Sequence, residues 1–436
     1  MIKKFSVSTP VYPWDILDDG VDAYLDGVIE HIGANSVYTP VCYYMEESSA
    51  FWWGGVMPHN KKIHRYYSED GRCYFEPDAK FYSNTKIKPE RTVDPLLANF
   101  DNLRTLEGPV HDRGMQLSAW VPLFKNPHLA RRHADCTPVD IFGGRAKHGL
   151  CPNNPDVIGY YKGIVSDIAS NYKVDAIGLD KFGIEYWAGG PEGHGWYNNV
   201  NGGHCWGADI DPVFLMLNTP CFCEHCGRKA AEMGYDWEKI KARVSKLAWS
   251  SVNRDSSVVF RLSQKGYFQG ESGVARLILE EEDIYQWLRF KIDTMVHTAK
   301  ELKATIKSIS PDIKMTIALD PPDRPNFQRF RHYGWLYGSS YRALSSVADS
   351  IGVASGWSTD EKYYSGKLAI DAVDGRCPCN EDVHAIPPAD PEHIREQIRL
   401  YHSMGMNGYV IFGYTWAPLE NLHAAREELR AIEQSM

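Results

Sequence analysis

The 436-residue sequence contains no long apolar run. Nothing approaches the ~18 consecutive apolar residues of a membrane-spanning helix. Basic blocks are missing too: 47 Lys and Arg stand against 56 Asp and Glu, for a net charge of −9. With no positive patch to neutralise phosphates, nucleic acid and anionic membrane surfaces are excluded as partners. There is no heptad run, no repeat of solenoid period and no Gly-x-Ser-x-Gly elbow. A phosphate-binding glycine loop and a His-Glu-x-x-His pair are absent as well. Lys3 and Lys4 are followed by only a few apolar residues before Pro10, too few for a secretory core. A cytoplasmic protein is expected.

Apolar residues make up 43 % of the chain, enough for a large core, and aromatic residues 12 %. Many of the 13 Trp and 25 Tyr fall in Gly/Pro-rich, loop-like segments. Trp52-Trp53, Tyr66-Tyr67, Trp187, Trp196, Trp206, Trp357 and Trp416 are examples. Rings there suit a site that stacks on the apolar faces of sugars.

Short β-branched runs alternate with amphipathic stretches, the pattern of a parallel sheet covered by helices. Strands are expected at 4–9, 34–41, 116–121, 174–179, 313–319, 350–353, about 380–386, and 408–412. Helices are expected at 20–32, about 93–113, 155–171, 281–309, 338–347, from after Pro387-Pro388 to about 403, and 417–433. Eight strands in strict alternation close most simply into a (β/α)8 barrel. One such domain over 1–436 is expected, with long insertions after the second strand (about 45–92) and the fourth (181–280). Both insertions follow strand carboxyl ends, where barrel enzymes carry their chemistry. An open doubly wound sheet is the alternative, but no glycine fingerprint follows the first strand.

Ten cysteines are present, three of them inside Cys221-Phe222-Cys223-Glu224-His225-Cys226. Disulfides are not expected in a cytoplasmic chain of this size. Thiolates packed this closely repel unless a metal neutralises them, and zinc is the usual occupant. Cys151, Cys205, His204 and His225 are the candidates for a fourth ligand.

The segment Cys151-Pro152-Asn153-Asn154-Pro155, followed by a strand and then the Cys221 turn, resembles the zinc-bearing β-galactosidases among the barrel glycosidases. That resemblance implies one structural zinc shared by Cys151, Cys221, Cys223 and Cys226. Four sulfurs leave no open position for water, so such a metal is structural. A wider resemblance, to bacterial barrel proteins of the glycoside hydrolase type, runs nearly end to end. Its marks are Pro58-His59-Asn60, Tyr74-Phe75-Glu76-Pro77-Asp78, the two cysteine segments and Gly408-Tyr409-Val410-Ile411-Phe412-Gly413-Tyr414. It implies the fold and a glycosidase, with little about the substrate.

Glycoside hydrolysis needs two carboxyl groups flanking the bond. Asp180 closes the fourth strand and is the first choice, as nucleophile. Glu185 and Asp320, after the fourth and fifth strands, are expected as acid/base. The β-galactosidases place an Asn-Glu pair at the end of the fourth strand; this chain has Asp180-Lys181, with Glu185 following. Retaining barrel glycosidases with Asp on the fourth strand imply a retaining mechanism. Glu381 and Asp382 lie near the seventh strand, where related barrels carry a nucleophile. His59, Trp120, His194, Glu381, Tyr414 and Trp416 are expected to contact substrate, with His128 and His384 further loop histidines of that kind. The expected partner is a carbohydrate, with further copies of the chain as the other one. Two rival functions fit the same fold: a metal-dependent lyase or isomerase for a sugar acid, and a non-catalytic carbohydrate-binding barrel.

Overall fold

Eight parallel strands close on themselves: β1 (Ser6–Pro10), β2 (Ser36–Pro40), β3 (Gln116–Pro122), β4 (Ala176–Asp180), β5 (Lys314–Leu319), β6 (Ser350–Val353), β7 (Cys379–His384) and β8 (Gly408–Phe412). Neighbours in sequence are neighbours in the sheet, and β8 returns to pair with β1 through Ser6↔Gly408. The chain is a (β/α)8 barrel with long loops after β2 and β4. This computed structural model describes residues 5–43, 71–147, 149–184, 213, 216–217, 219–252, 270–319, 324–325, 331–332, 334–354 and 358–435.

The helices that cover the barrel include α1 (Pro13–Asp19), α2 (Val21–Ile32), α3 (Asn102–Asp112) and α4 (Pro155–Asn171). The insertion after β4 contributes α5 (Glu224–Glu232), α6 (Trp237–Val252) and α7 (Gly270–Glu280) before the long α8 (Glu282–Ile309). Then come α9 (Thr359–Val373), α10 (Pro391–Met404) and α11 (Leu419–Ser435). Their starts are written locally. Asn154 caps α4 by accepting from the Asp156 N–H, with Pro155 at its first position. Asp390 and Pro391 do the same for α10. Helix α3 starts at residue 102, not near 93, because Asp101 supplies the cap.

Helix α9 has no counterpart among the expected helices. Its capping box, Ser358 with Glu361, is present. Its outer face, however, carries exposed Tyr363, Tyr364 and Leu368, which blur the apolar stripe.

Burial alternates along every strand with one consistent sense. Val7, Val37, Leu117, Ile177, Ile317, Ile351, Val383 and Ile411 face the helices and are fully buried. Their neighbours Ser8, Tyr38, Ser118, Gly178, Thr316, Gly352, Asp382 and Val410 face the lumen and are only half-buried. The apolar core is therefore the shell between barrel and helices. No helix among the described residues is long and apolar enough to cross a membrane.

Candidate functional site

Asp180 ends β4 on the lumen face, and its geometry is fixed by two donors. Trp120, inward-facing on the adjacent β3, donates its indole N–H to Asp180 Oδ2 (3.1 Å). The Lys181 N–H donates to Oδ1 (2.7 Å), which requires the chain to turn back sharply. Lys181 accordingly takes a left-handed conformation with φ of 53°, unusual for a residue with a Cβ. The Asp180 carbonyl accepts from the Leu123 N–H (2.8 Å), tying the ends of β3 and β4 together.

Trp120 is also part of an aromatic wall. Tyr38 meets it edge-on at 5.5 Å, Tyr43 at 5.7 Å and Tyr12 at 6.1 Å. Tyr12 stacks on Trp14 at 4.8 Å and lies against Trp416 at 6.3 Å. Trp416 also contacts lumen-facing Phe412 at 6.4 Å. This cluster is separate from the main core, and Trp120, Tyr43 and Trp416 stay partly open. Burial pushes the Tyr43 phenol up to about 12, with the nearby Asp180 charge adding to the rise. It therefore remains a neutral hydroxyl beside the carboxylate.

On the far side of the lumen stands β7. The pairings carry Leu179 to Ile317, then Ile351, then Cys379. Strands of an eight-stranded barrel stagger by roughly one residue per strand, so three strands shift the level by about three residues. The height of Asp180 is thus reached between Asp382 and His384, both inward-facing. His384 confirms the direction, since its ring meets Phe412 at 5.7 Å.

Two expected contacts are corrected here. Glu381 has the opposite parity to Asp382, and its Oε2 lies 3.4 Å from where a Cβ on Gly366 of α9 would stand. It is fully buried between barrel and helix, not at the mouth. Tyr414 likewise turns outward: its hydroxyl hydrogen-bonds His31 Nδ1 (3.0 Å) and its ring packs on Tyr24 of α2 at 5.3 Å. Glu381 sits one position out of phase along β7, whereas Tyr414 lies past the end of β8, where the left-handed Gly413 (φ 77°) starts a single helical turn that carries it outward. His128 pairs with Glu90 at 3.4 Å. Glu185, Asp320, His59 and His194 lie outside the described residues, as do Trp52, Trp53, Trp187, Trp196, Trp206 and Trp357.

The cysteines do converge. The sulfurs of Cys151, Cys221, Cys223 and Cys226 all lie within 4.8 Å of one another and are buried. Cys151 Sγ is 3.6 Å from both Cys223 Sγ and Cys226 Sγ. Tetrahedral zinc with bonds of about 2.3 Å would set sulfurs about 3.8 Å apart, so the donor set fits a thiolate-bound metal. Two donors from the surrounding chain reach the sulfurs. The Val139 N–H donates to Cys221 (3.3 Å) and the Asn153 amide to Cys226 (3.2 Å). Hydrogen bonds from Cys151, Cys221 and Cys226 pull the Cys223 thiol strongly down, whereas the same contacts hold Cys151 up. His225, a ligand candidate in the sequence, instead contacts the Asn154 amide (3.2 Å) and Arg228 (2.7 Å). Cys205 and His204 lie outside the described residues.

Sequence reasoning missed Lys291 of α8. It is fully buried, contacts Thr219 Oγ1, donates to the Leu336 carbonyl (3.1 Å) and sits over the Trp287 ring at 3.7 Å. Burial holds its amino group well below the usual lysine range, with the sulfurs of Cys221 and Cys226 opposing that fall only in part. Its amino group is thereby placed near the cysteine sulfurs; an interior Lys in an amphipathic helix gives no such signal in sequence.

No family model matches the sequence, and no curated protein matches it. Solved structures do. The catalytic domain of β-amylase from Paenibacillus polymyxa superposes with a TM-score of 0.56 at 11 % identity, covering 99 % of each chain. A GH42 β-galactosidase from G. stearothermophilus gives 0.55 at 11 % identity, over 100 % of this chain and 57 % of that one. α-L-Fucosidase isoenzyme 2 from Paenibacillus thiaminolyticus gives 0.52 at 12 % identity, over 99 % of this chain and 49 % of its own. The chain thus spans about half the length of the fucosidase and the whole length of the amylase domain. Its fold is the (β/α)8 barrel found in these glycoside hydrolases.

Proposed function

We propose that the chain is a retaining glycoside hydrolase acting on a small oligosaccharide or glycoside. The observation that carries this reading is Asp180, held at the lumen face of a strand end by Trp120 and bordered by the aromatic wall. Asp180 is the nucleophile: its two donors suit an ionised carboxylate that attacks the anomeric carbon as the glycosidic C–O bond breaks. Asp382, inward-facing at nearly the same height, is the acid/base. It protonates the departing oxygen, then takes a proton from the water that releases the sugar. Glu185 and Asp320 are the other acids proposed for that second role. Trp120 and Trp416 form the platform for the sugar ring, with His384, His59 and His194 as hydroxyl-binding groups.

The four cysteines are proposed to hold a structural zinc. Bound there, zinc supplies charge neutralisation and a covalent tie between the segment preceding α4 and the start of α5. The chain's own residues do the chemistry at the barrel mouth.

The test is hydrolysis of a panel of nitrophenyl glycosides by the wild type and Asp180→Asn. Turnover by the wild type and loss of at least 1000-fold in the variant, with an unchanged circular dichroism spectrum, are expected. More than a tenth of wild-type activity in the variant removes Asp180 from the chemistry. Sugar binding by calorimetry with no turnover across the panel identifies a non-catalytic binding barrel instead.

A further inference from the structure

Asp15 is the third residue of α1, and its Oδ2 accepts from the Tyr12 N–H (2.9 Å), which closes the first turn of that helix. An exposed carboxylate suffices for such a cap, yet this one is 1 % exposed. Burying a carboxyl group costs free energy unless both oxygens find partners. The second oxygen, Oδ1, accepts from the Thr415 hydroxyl (3.0 Å), 400 positions further along the chain. Thr415 is itself buried.

This bond crosses the seam where the barrel closes. The paired register of β1 and β8 runs from Ser6↔Gly408 to Ser8↔Val410. Above it, side chains span the seam: the Thr9 hydroxyl donates to the Ile411 carbonyl (2.9 Å), and Thr415 then reaches Asp15. Thr415 is the middle residue of the single turn Tyr414–Trp416 that follows β8. Tyr414 turns outward to His31, Thr415 goes to Asp15, and Trp416 lies over Tyr12 at 6.3 Å with its ring inclined by 27°. Tyr12 in turn stacks on Trp14 at 4.8 Å and 7°. One carboxyl group thus holds the backbone of Tyr12 with one oxygen and the neighbour of Trp416 with the other.

We propose that the Asp15–Thr415 bond is a positioning clamp, which fixes Trp416 against the Tyr12–Trp14 stack and so sets the ring face on which a sugar lies. The inference rests on the glycosidase reading for Trp416 as a sugar platform. Asp15 and Thr415 are buried and act through Trp416, which stays partly open.

The experiment uses the full chain. Thr415→Val keeps the shape and deletes the hydroxyl, Thr415→Ser keeps the hydroxyl, and Trp416→Ala removes the platform. Folding is checked by thermal melting and far-ultraviolet circular dichroism; if Thr415→Val does not fold, Thr415→Ala replaces it. Near-ultraviolet circular dichroism reads the ring stack without any ligand, and should change in Thr415→Val but not in Thr415→Ser. D-galactose, D-glucose and L-fucose are titrated calorimetrically. At least one is expected to bind the wild type and Thr415→Ser alike, and Thr415→Val about fivefold to tenfold more weakly, the worth of one hydrogen bond. With a nitrophenyl glycoside, KM should rise by the same factor while kcat holds. Wild-type spectrum and affinity in folded Thr415→Val overturn the clamp, as does equal weakening by Thr415→Ser or a loss confined to kcat. Unchanged affinity in Trp416→Ala, or failure of all three sugars to bind the wild type, overturns the platform and the clamp together. Binding that follows the expected order without any hydrolysis supports the clamp and overturns only the hydrolase.

Discussion

The indole of Trp120 and the carboxylate of Asp180 meet across adjacent strands, Nε1 to Oδ2 at 3.1 Å. The two residues come from β3 and β4, whose register places Trp120 opposite Gly178 and Pro122 opposite Asp180. The indole thus reaches Asp180 two residues beyond its own register partner, Gly178. A ring that is both sugar platform and hydrogen-bond donor links substrate stacking to the orientation of the carboxylate.

Trp120→Phe keeps an aromatic face and deletes that donor. A hydrogen bond to a charged group contributes about 1.5–3 kcal/mol, so kcat should fall about 10- to 100-fold while KM changes little. The ionised carboxylate loses a partner, so the acidic limb of the kcat/KM profile should move to higher pH. A change confined to KM, with the pH profile unmoved, contradicts the orienting role.

Asp15 supplies a pH dependence of stability. It is 1 % exposed, accepts from the Tyr12 N–H (2.9 Å) and the Thr415 hydroxyl (3.0 Å), and lies near Asp18 and Asp19. Burial pushes its carboxyl from 3.8 up to about 7. The folded state thus binds this proton more tightly than the unfolded state does. Its contribution is fully present below about pH 4, is lost as pH rises toward 7, and is flat above. The loss is on the order of 4 kcal/mol at most, from about 1.4 kcal/mol per pH unit. Urea denaturation from pH 4 to 8 should show Asp15→Asn gaining on the wild type as pH rises. Parallel curves contradict the assignment.

Metal content is the next test. One zinc per chain is expected by elemental analysis, and Cys223→Ser should lower it and the melting temperature together. Lys291→Met should release zinc to a chromogenic chelator at least tenfold faster, because the buried sulfurs lose the polar amino group that stands near them. An unchanged release rate contradicts that supporting role. A second bound ion favours the metal-dependent lyase or isomerase.

Tyr414 tests the correction at the barrel rim. Tyr414→Phe deletes the bond to His31 and should cost about 1 kcal/mol of stability with kcat and KM unchanged. Trp416→Ala should raise KM at least fivefold. A KM effect from Tyr414→Phe would return that residue to the substrate site.

The barrel was legible because hydrophobic period and turn chemistry agreed at each strand, so all eight strands overlap the expected segments. Three members of the cysteine cluster were legible because thiols at Cys-x-Cys-x-x-Cys spacing have few other uses; Cys151 was implied only by the resemblance to the zinc-bearing β-galactosidases. Facing was harder to read. Glu381 and Asp382 are adjacent, and only the pleat decides which enters the lumen; a one-residue phase error exchanges them. Lys291 was hidden because its neighbours Cys221 and Cys226 are some seventy positions away in the sequence.

The most direct measurement is mass spectrometric mapping of the protein after incubation with activated 2-deoxy-2-fluoro glycosides, which slow release of a covalent intermediate. The expected result is a single sugar adduct on the peptide containing Asp180, abolished in Asp180→Asn. An adduct on any other carboxylate, or continued hydrolysis with none formed, contradicts Asp180 as nucleophile.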